Sequence, residues 1–291
     1  MLWFKKRPDT ALPAATDEIV PAALPLALDG SLFKHYFTKL VENAEQDGGI
    51  ESYLAALGAK RQVCVVTLER ARDAVFAMSD IEALLGHVFT ARRRLSPALE
   101  QLGAVRAAVL VGDLVAGAAP PAQRLQAFVD AMPGTERMDR ESLKAATKVR
   151  RAAWDFAAEL LHFSDPVKFP LMSRWVWDQG TQSGALREFI RGNDAMREIP
   201  FGNDPGLFEG ARRWFAERIA EEGVYRDVHF WIDLVLAQAY TTYFRAVTDG
   251  SLGADFGRGV TPQEQLRKLL GIDAARADGR TRVKKQVRSE R

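Results

Sequence analysis

The chain has 291 residues, 47% hydrophobic and 27% charged, with 40 basic and 38 acidic side chains for a formal net charge of +2. That composition is ordinary for a globular protein with one large core or two smaller ones, and its near balance excludes a global electrostatic footprint for nucleic acid. The single cysteine, Cys64, excludes an internal disulfide and sits in the apolar run Val63-Cys64-Val65-Val66, where it reads as a small buried side chain.

Residues 1–29 hold Pro8, Pro13, Pro21 and Pro25 among small apolar residues and read as a flexible leader. Its apolar tip precedes the charges, unlike a secretory signal. The tip, Leu2-Trp3-Phe4 followed by Lys5-Lys6-Arg7, suits docking on a protein partner or on this protein itself or, more weakly, contact with an anionic membrane surface. No uncharged apolar run of about 18 residues follows, so no transmembrane helix is expected and the cytoplasm is favoured by elimination.

The folded domain is expected over residues 30–273, as an all-α, multi-helix globular bundle. Leu32, Phe33, Tyr36, Phe37, Leu40, Val41 and Ala44 recur at helical spacing, with Ser31 as the expected N-cap. A short helix from Ile50 is expected to close at Gly58, and a second to run from Arg61 to Met78. Ser79-Asp80-Ile81-Glu82 reads as a capping box opening a helix that ends before Ser96-Pro97. Arg92-Arg93-Arg94 would then lie in its last turn, where cations complement the helix dipole. Further helices are expected across residues 97–131, with breaks near Gly117 and Pro120-Pro121. Met132-Pro133-Gly134-Thr135 is a loop, and two sub-lobes, 30–131 and 139–273, would divide there.

Leu143 to Phe163 forms a long amphipathic pattern. It stops at Ser164-Asp165-Pro166, and the elbow Lys168-Phe169-Pro170 is expected to open another aromatic-rich helix. Three of the six tryptophans lie between positions 143 and 178, and Trp154, Trp175 and Trp177 are expected to pack with Trp214 and Trp231. Pro205 at a first helical position opens the next helix. Residues 225–247 form the most apolar helix, and Thr261-Pro262-Gln263-Glu264 is a capping box for a last short one.

Two constellations carry candidate chemistry. Asp155, Glu159 and His162 share one face of the central helix at i, i+4, i+7 and contain one Glu-x-x-His, the unit that di-iron bundles use in duplicate. They are the candidate metal ligands, set against the plain expectation that His162 caps the helix end beside Asp165 while the acids face solvent or pair with Arg151 and Lys148. His229 and Asp233, one turn apart on the apolar helix, are the candidate acid/base pair, set against a satisfied polar contact in the core or the helix's solvent stripe. No cofactor is implied. The glycine-containing segments at 180–184 and 202–206 lack the residues of a phosphate loop and read as turns.

Leu161-His162-Phe163 to Phe169-Pro170 resembles a helix–proline–helix phrase of helix-hairpin-helix glycosylase-like proteins. The glycine-rich hairpin and the lysine and aspartate context of that group have no recognisable counterpart, and no family is assigned on this phrase. Residues 274–291 form a basic tail including Arg280, Arg282, Lys284, Lys285 and Arg288, read as solvated and disordered. The leading functional expectation is a non-enzymatic accessory, scaffold or regulatory protein acting through protein contacts. The alternatives are a helical enzyme or metal protein using the Asp155/Glu159/His162 face, and a nucleic-acid-associated protein using its basic termini.

Overall fold

The computed structural model describes residues 18–73, 75–133, 139–249 and 260–273. Among these the protein is all-α, with ten α-helices and no strand beyond an isolated bridge between Asp178 and Ser183. In chain order the helices are α1 (Gly30–Glu45), α2 (Ile50–Arg72), α3 (Met78–Gly86), α4 (Phe89–Leu102), α5 (Ala104–Ala116), α6 (Pro121–Asp130), α7 (Arg140–Ser164), α8 (Pro205–Glu221), α9 (Val228–Asp249) and α10 (Pro262–Leu270). The tip Leu2-Trp3-Phe4 and the tail residues Arg280, Arg282, Lys284, Lys285 and Arg288 lie outside the described residues.

α7 is the axis. Its second half is rich in alanine, and Ala152, Ala153, Ala157 and Ala158 are all buried. Small side chains let neighbouring helices approach closely. α7 packs against α2, α4, α5 and α6, while α9 packs against α1, α8 and α10. Buried apolar side chains from Phe33 to Ile272 form one cluster.

Several boundaries differ from the sequence expectation, each for a local reason. Asp29 rather than Ser31 caps α1: Asp29 Oδ1 accepts from the amides of Ser31 (2.8 Å) and Leu32 (3.4 Å) and from the Ser31 hydroxyl. Gly58 does not end a helix. α2 runs through it because Tyr53, Leu57, Lys60, Cys64 and Thr67 continue one buried stripe on both sides. α3 begins two residues earlier than the Ser79 capping box requires, and the Asp80 carboxylate accepts from the Ala77 amide instead. α3 stops at Gly86 and α4 runs through Pro97, with Leu95, Ala98 and Leu99 packed in the core on either side of the proline. Arg92, Arg93 and Arg94 therefore lie near the N-terminus of α4, not at the C-terminus of a helix, and the dipole argument made for them fails.

The largest departure follows Pro170. In place of a helix the chain makes turns, with one 3₁₀ turn at Ala185–Phe189 and another at Asn193–Ala195. Residues 175–186 fold back on themselves: Ala185 N donates to Trp175 O (2.8 Å), Leu186 N to Val176 O (3.0 Å) and Asp178 N to Ser183 O (2.7 Å). Gly184 makes this possible. Its φ is 135°, and a Cβ there would sit 2.5 Å from the Val176 carbonyl oxygen.

The tryptophans do not cluster together. Trp175 tilts against Tyr240, Trp177 meets Phe201 edge-on, Trp231 stacks on Phe37 and Trp214 meets Phe33 edge-on. The Trp154 indole donates to Met172 O at 2.9 Å. Each ring has its own partner, two of the rings coming from the irregular segment itself and three from different helices.

Residues 18–28, within the stretch read as a leader, lie across α8. Ala22 N donates to Gly206 O at 2.8 Å. The α8 glycines allow this approach: a Cβ on Gly210 would sit 2.2 Å from Ala22 O, and one on Gly206 2.9 Å from Val20 O.

Candidate functional site

The three candidate ligands on α7 are buried, not solvent-facing, and they turn to three different partners. Asp155 Oδ1 accepts from the Arg174 amide at 2.9 Å, and its other oxygen lies 3.5 Å from the Arg174 guanidinium. Glu159 Oε2 accepts from Lys60 Nζ of α2 at 2.5 Å. His162 reaches across to α9, with Nε2 2.9 Å from Asp233 Oδ2 and Nδ1 2.8 Å from Phe169 O. Neither Arg151 nor Lys148 pairs with Asp155 or Glu159, and Asp165 does not hold His162. Arg151 instead donates to Asp178 at 2.7 Å. Among the described residues no group of three or more His, Cys, Asp or Glu is arranged to hold a metal ion.

Lys60 is the residue that sequence reading missed. Its ammonium is buried, donates also to Leu270 O at 2.8 Å and lies 4.1 Å from the centre of the Phe163 ring. The signal was present: a lysine occupies the middle of the stripe Tyr53, Leu57, Lys60, Cys64, Thr67, whose other members are all buried and carry no charge. A charge removed from water needs a partner of opposite sign. Glu159 supplies it from 99 residues away. Glu159 Oε1 is buried with no hydrogen-bond partner. Burial raises the Glu159 pKa, opposed by the adjacent Lys60 ammonium. Cys64, one turn along α2, has its thiol pushed up to about 12 by burial, which keeps it un-ionised and unreactive.

The second end of this seam is Asp155. Burial pushes its carboxyl up to about 6, against the pull of the Arg174 guanidinium and amide. Beyond it, Asp178 Oδ2 collects Arg174 Nη2 (2.9 Å) and Arg151 Nη2 (2.7 Å). Burial works against the Asp178 carboxylate as well, but those two arginines outweigh it and hold its pKa below the usual range.

The candidate pair His229–Asp233 is rearranged. Asp233 is hydrogen-bonded to His162, while His229 stands nearby, half-buried, with its pKa lowered by burial and partly restored by the Asp233 charge. The Phe169 carbonyl can only accept, so His162 Nδ1 carries a hydrogen; the network thus assigns one shared proton between Nε2 and Asp233. Both ring nitrogens are engaged, and His162 has no lone pair free to act as a base toward a substrate. His162, His229 and Asp233 line a small pocket together with Leu171, Val176, Phe208, Arg212, Phe215 and Leu236. Its volume is about 20 Å³, room for one water molecule.

No protein-family model matches the chain, and no curated protein or solved structure gives a significant match.

Proposed function

We propose that the protein is a helical accessory or scaffold protein that works through protein contacts rather than through chemistry of its own. The observation that carries this reading is the internal pairing along α7. Asp155, Glu159 and His162 are each engaged by another part of the fold, which makes them ties within the fold rather than groups held ready for a substrate. The pocket beside them, at about 20 Å³, is too small for a metabolite. The seating of residues 18–28 on α8 supports the same reading. There a proline-containing stretch of this same chain is held on α8 through a backbone hydrogen bond and the close approach that two glycines permit.

Native mass spectrometry and elemental analysis of the affinity-purified full chain test the proposal. Defined protein partners with no stoichiometric small molecule or metal are expected. A stoichiometric ligand that is lost in Asp233→Asn or Glu159→Gln would overturn it. Removing residues 1–17 tests the leader separately, and an unchanged partner list would exclude Leu2-Trp3-Phe4 from the contact.

A further inference from the structure

Residues 18–28 cross α8 as an extended strap. Leu24, Leu26 and Leu28, at alternate positions, pack against the core together with Ile19, yet each stays partly exposed, and Ala23, Pro25 and Ala27 between them are exposed. Among the described residues, the strap's one hydrogen bond runs from Ala22 N to Gly206 O at 2.8 Å. The segment after Pro170 is irregular too, but it makes three backbone bonds across its fold-back and buries Trp175, Val176, Trp177, Ala185 and Leu186. Few hydrogen bonds and incomplete apolar burial put the strap at the low-stability end of the fold, where local opening is easiest. Its anchored end is Asp29, whose amide donates to Phe189 O at 2.8 Å and whose carboxylate caps α1 and pairs with Arg191.

The strap does not fill the surface it lies on. Between it and α8 is an open groove of about 590 Å³, lined on the α8 side by Gly210, Arg213, Trp214 and Glu217. On the strap side the lining includes Ala22, Ala23 and Ala27, whose methyl groups are too short to occupy that volume. Trp214 is only partly buried, and a half-covered indole is the kind of anchor on which protein contacts concentrate their energy. The backbone approach is set by glycine. Glycine weakens a helix, yet α8 carries Gly206 and Gly210 one turn apart, and a Cβ on Gly210 would sit 2.2 Å from Ala22 O. Main-chain contact along an extended segment, with side-chain room beside it, is how extended peptides are recognised.

We infer that this face of α8 is the docking site for an extended apolar segment of a partner protein, and that residues 18–28 are its built-in competitor. The inference rests on the protein-contact reading above and gives that reading a surface and a partner chemistry. The partner segment carries apolar residues at alternate positions, offers a backbone N–H to Gly206 O, and places larger side chains than those of Ala22, Ala23 and Ala27 in the groove. The strap is tethered at Asp29, so it competes at a high effective concentration. Only molecules with the strap lifted bind the partner, and the apparent affinity is lowered by the fraction of molecules in that state. A segment that fills the groove better than the alanines do shifts the balance, and the strap with Leu24, Leu26 and Leu28 is released.

Fluorescence anisotropy with a labelled synthetic peptide of the strap's own sequence, residues 18–28, titrated with the full chain, tests the inference. Wild type should bind weakly, because its site is occupied. Full-length L24D/L26D, which alters only half-buried strap residues, should bind about tenfold more tightly or better. Adding G210V should remove that gain. A peptide N-methylated at Ala22 should bind L24D/L26D several-fold more weakly, which checks the register without touching the protein. Circular dichroism melting should show the variants folded. Equal affinity of wild type and L24D/L26D would overturn the inference, as would binding that both G210V and N-methylation leave unchanged. A concentration-dependent dimer of wild type that L24D/L26D abolishes would overturn it in favour of a second copy's strap as the occupant. No peptide binding by L24D/L26D, in a chain that still recovers defined protein partners, would sink this surface and leave the protein-contact reading standing.

Discussion

Asp155 and Glu159 lie one turn apart on the same buried face of α7, yet the protein neutralises them differently. Glu159 meets a buried ammonium at 2.5 Å, and that ammonium is sealed in place by the last carbonyl of α10. Asp155 has a backbone amide at 2.9 Å and a guanidinium only at 3.5 Å, and that guanidinium is shared with Asp178 on the way to the surface. Both carboxyls are driven toward the neutral form by burial. The comparison teaches that burial sets the problem while the neighbour's position decides the answer. A close cation gives a tie between helices; a distant, shared one leaves a carboxyl that titrates close to neutral pH.

The largest effect should come from breaking the tighter end. Lys60→Met strands Glu159 as an unpaired buried acid and leaves Leu270 O without its donor, and should cost about 3–5 kcal/mol in chemical denaturation. Lys60→Met combined with Glu159→Leu should recover most of that loss, because no charge is left to desolvate; a double variant no more stable than the single would mean that the pair is not what joins α2 to α7. At the Asp155 end the support is packing as much as charge. Trp175→Ala, next to Arg174, should cost about 3 kcal/mol in the same measurement, and a loss near zero would show that this ring does not hold the segment.

The third prediction concerns pH. The folded-state pKa of Asp155, about 6, lies above its ordinary value of 3.8. Its contribution to stability is therefore fully present below about pH 4 and is lost as pH rises through about 6, by up to about 3 kcal/mol. Asp155→Asn should flatten the stability–pH curve in that window. The raised Glu159 slopes in the same sense and would remain, so a completely flat curve would assign the whole effect to Asp155, and an unchanged one would place the titration elsewhere. The smallest effect is expected away from α7. Gly210→Ala sets a methyl against Ala22 O, and should lift residues 18–28 from α8 at a cost of about 1 kcal/mol, read as faster proteolytic cleavage within that stretch.

Much of the helical plan was legible from residue spacing alone. Thr261 and Glu264 do form a reciprocal capping box, with Glu264 N 3.2 Å from Thr261 Oγ1 and Thr261 N 3.0 Å from Glu264 Oε2, because every atom of that motif lies within four residues. Pro205 at the start of α8 and the long period of α7 are local in the same way. What failed was decided at a distance. Gly58 and Pro97 look like helix breaks, but the side chains around them are anchored in the core, and tertiary burial outweighed local preference. The aromatic run after Pro170 has a helix-like composition, yet Gly184 lets it fold back onto Trp175 and Val176. At the candidate site, the shared face of Asp155, Glu159 and His162 was readable from spacing. Their partners were not: Lys60, Arg174 and Asp233 lie 99, 19 and 71 residues away in the chain.

Those separations have a consequence for how the protein is made. During synthesis Lys60 emerges long before Glu159, and Leu270 trails Lys60 by 210 residues. A nascent chain that has completed α1 to α6 has no counter-ion for Lys60 and no carbonyl to cap it. Chains whose key contacts are so remote in sequence fold slowly and expose unfinished surface while they wait. The Lys60 ammonium therefore gains its buried partners only once both the central helix and α10 are in place.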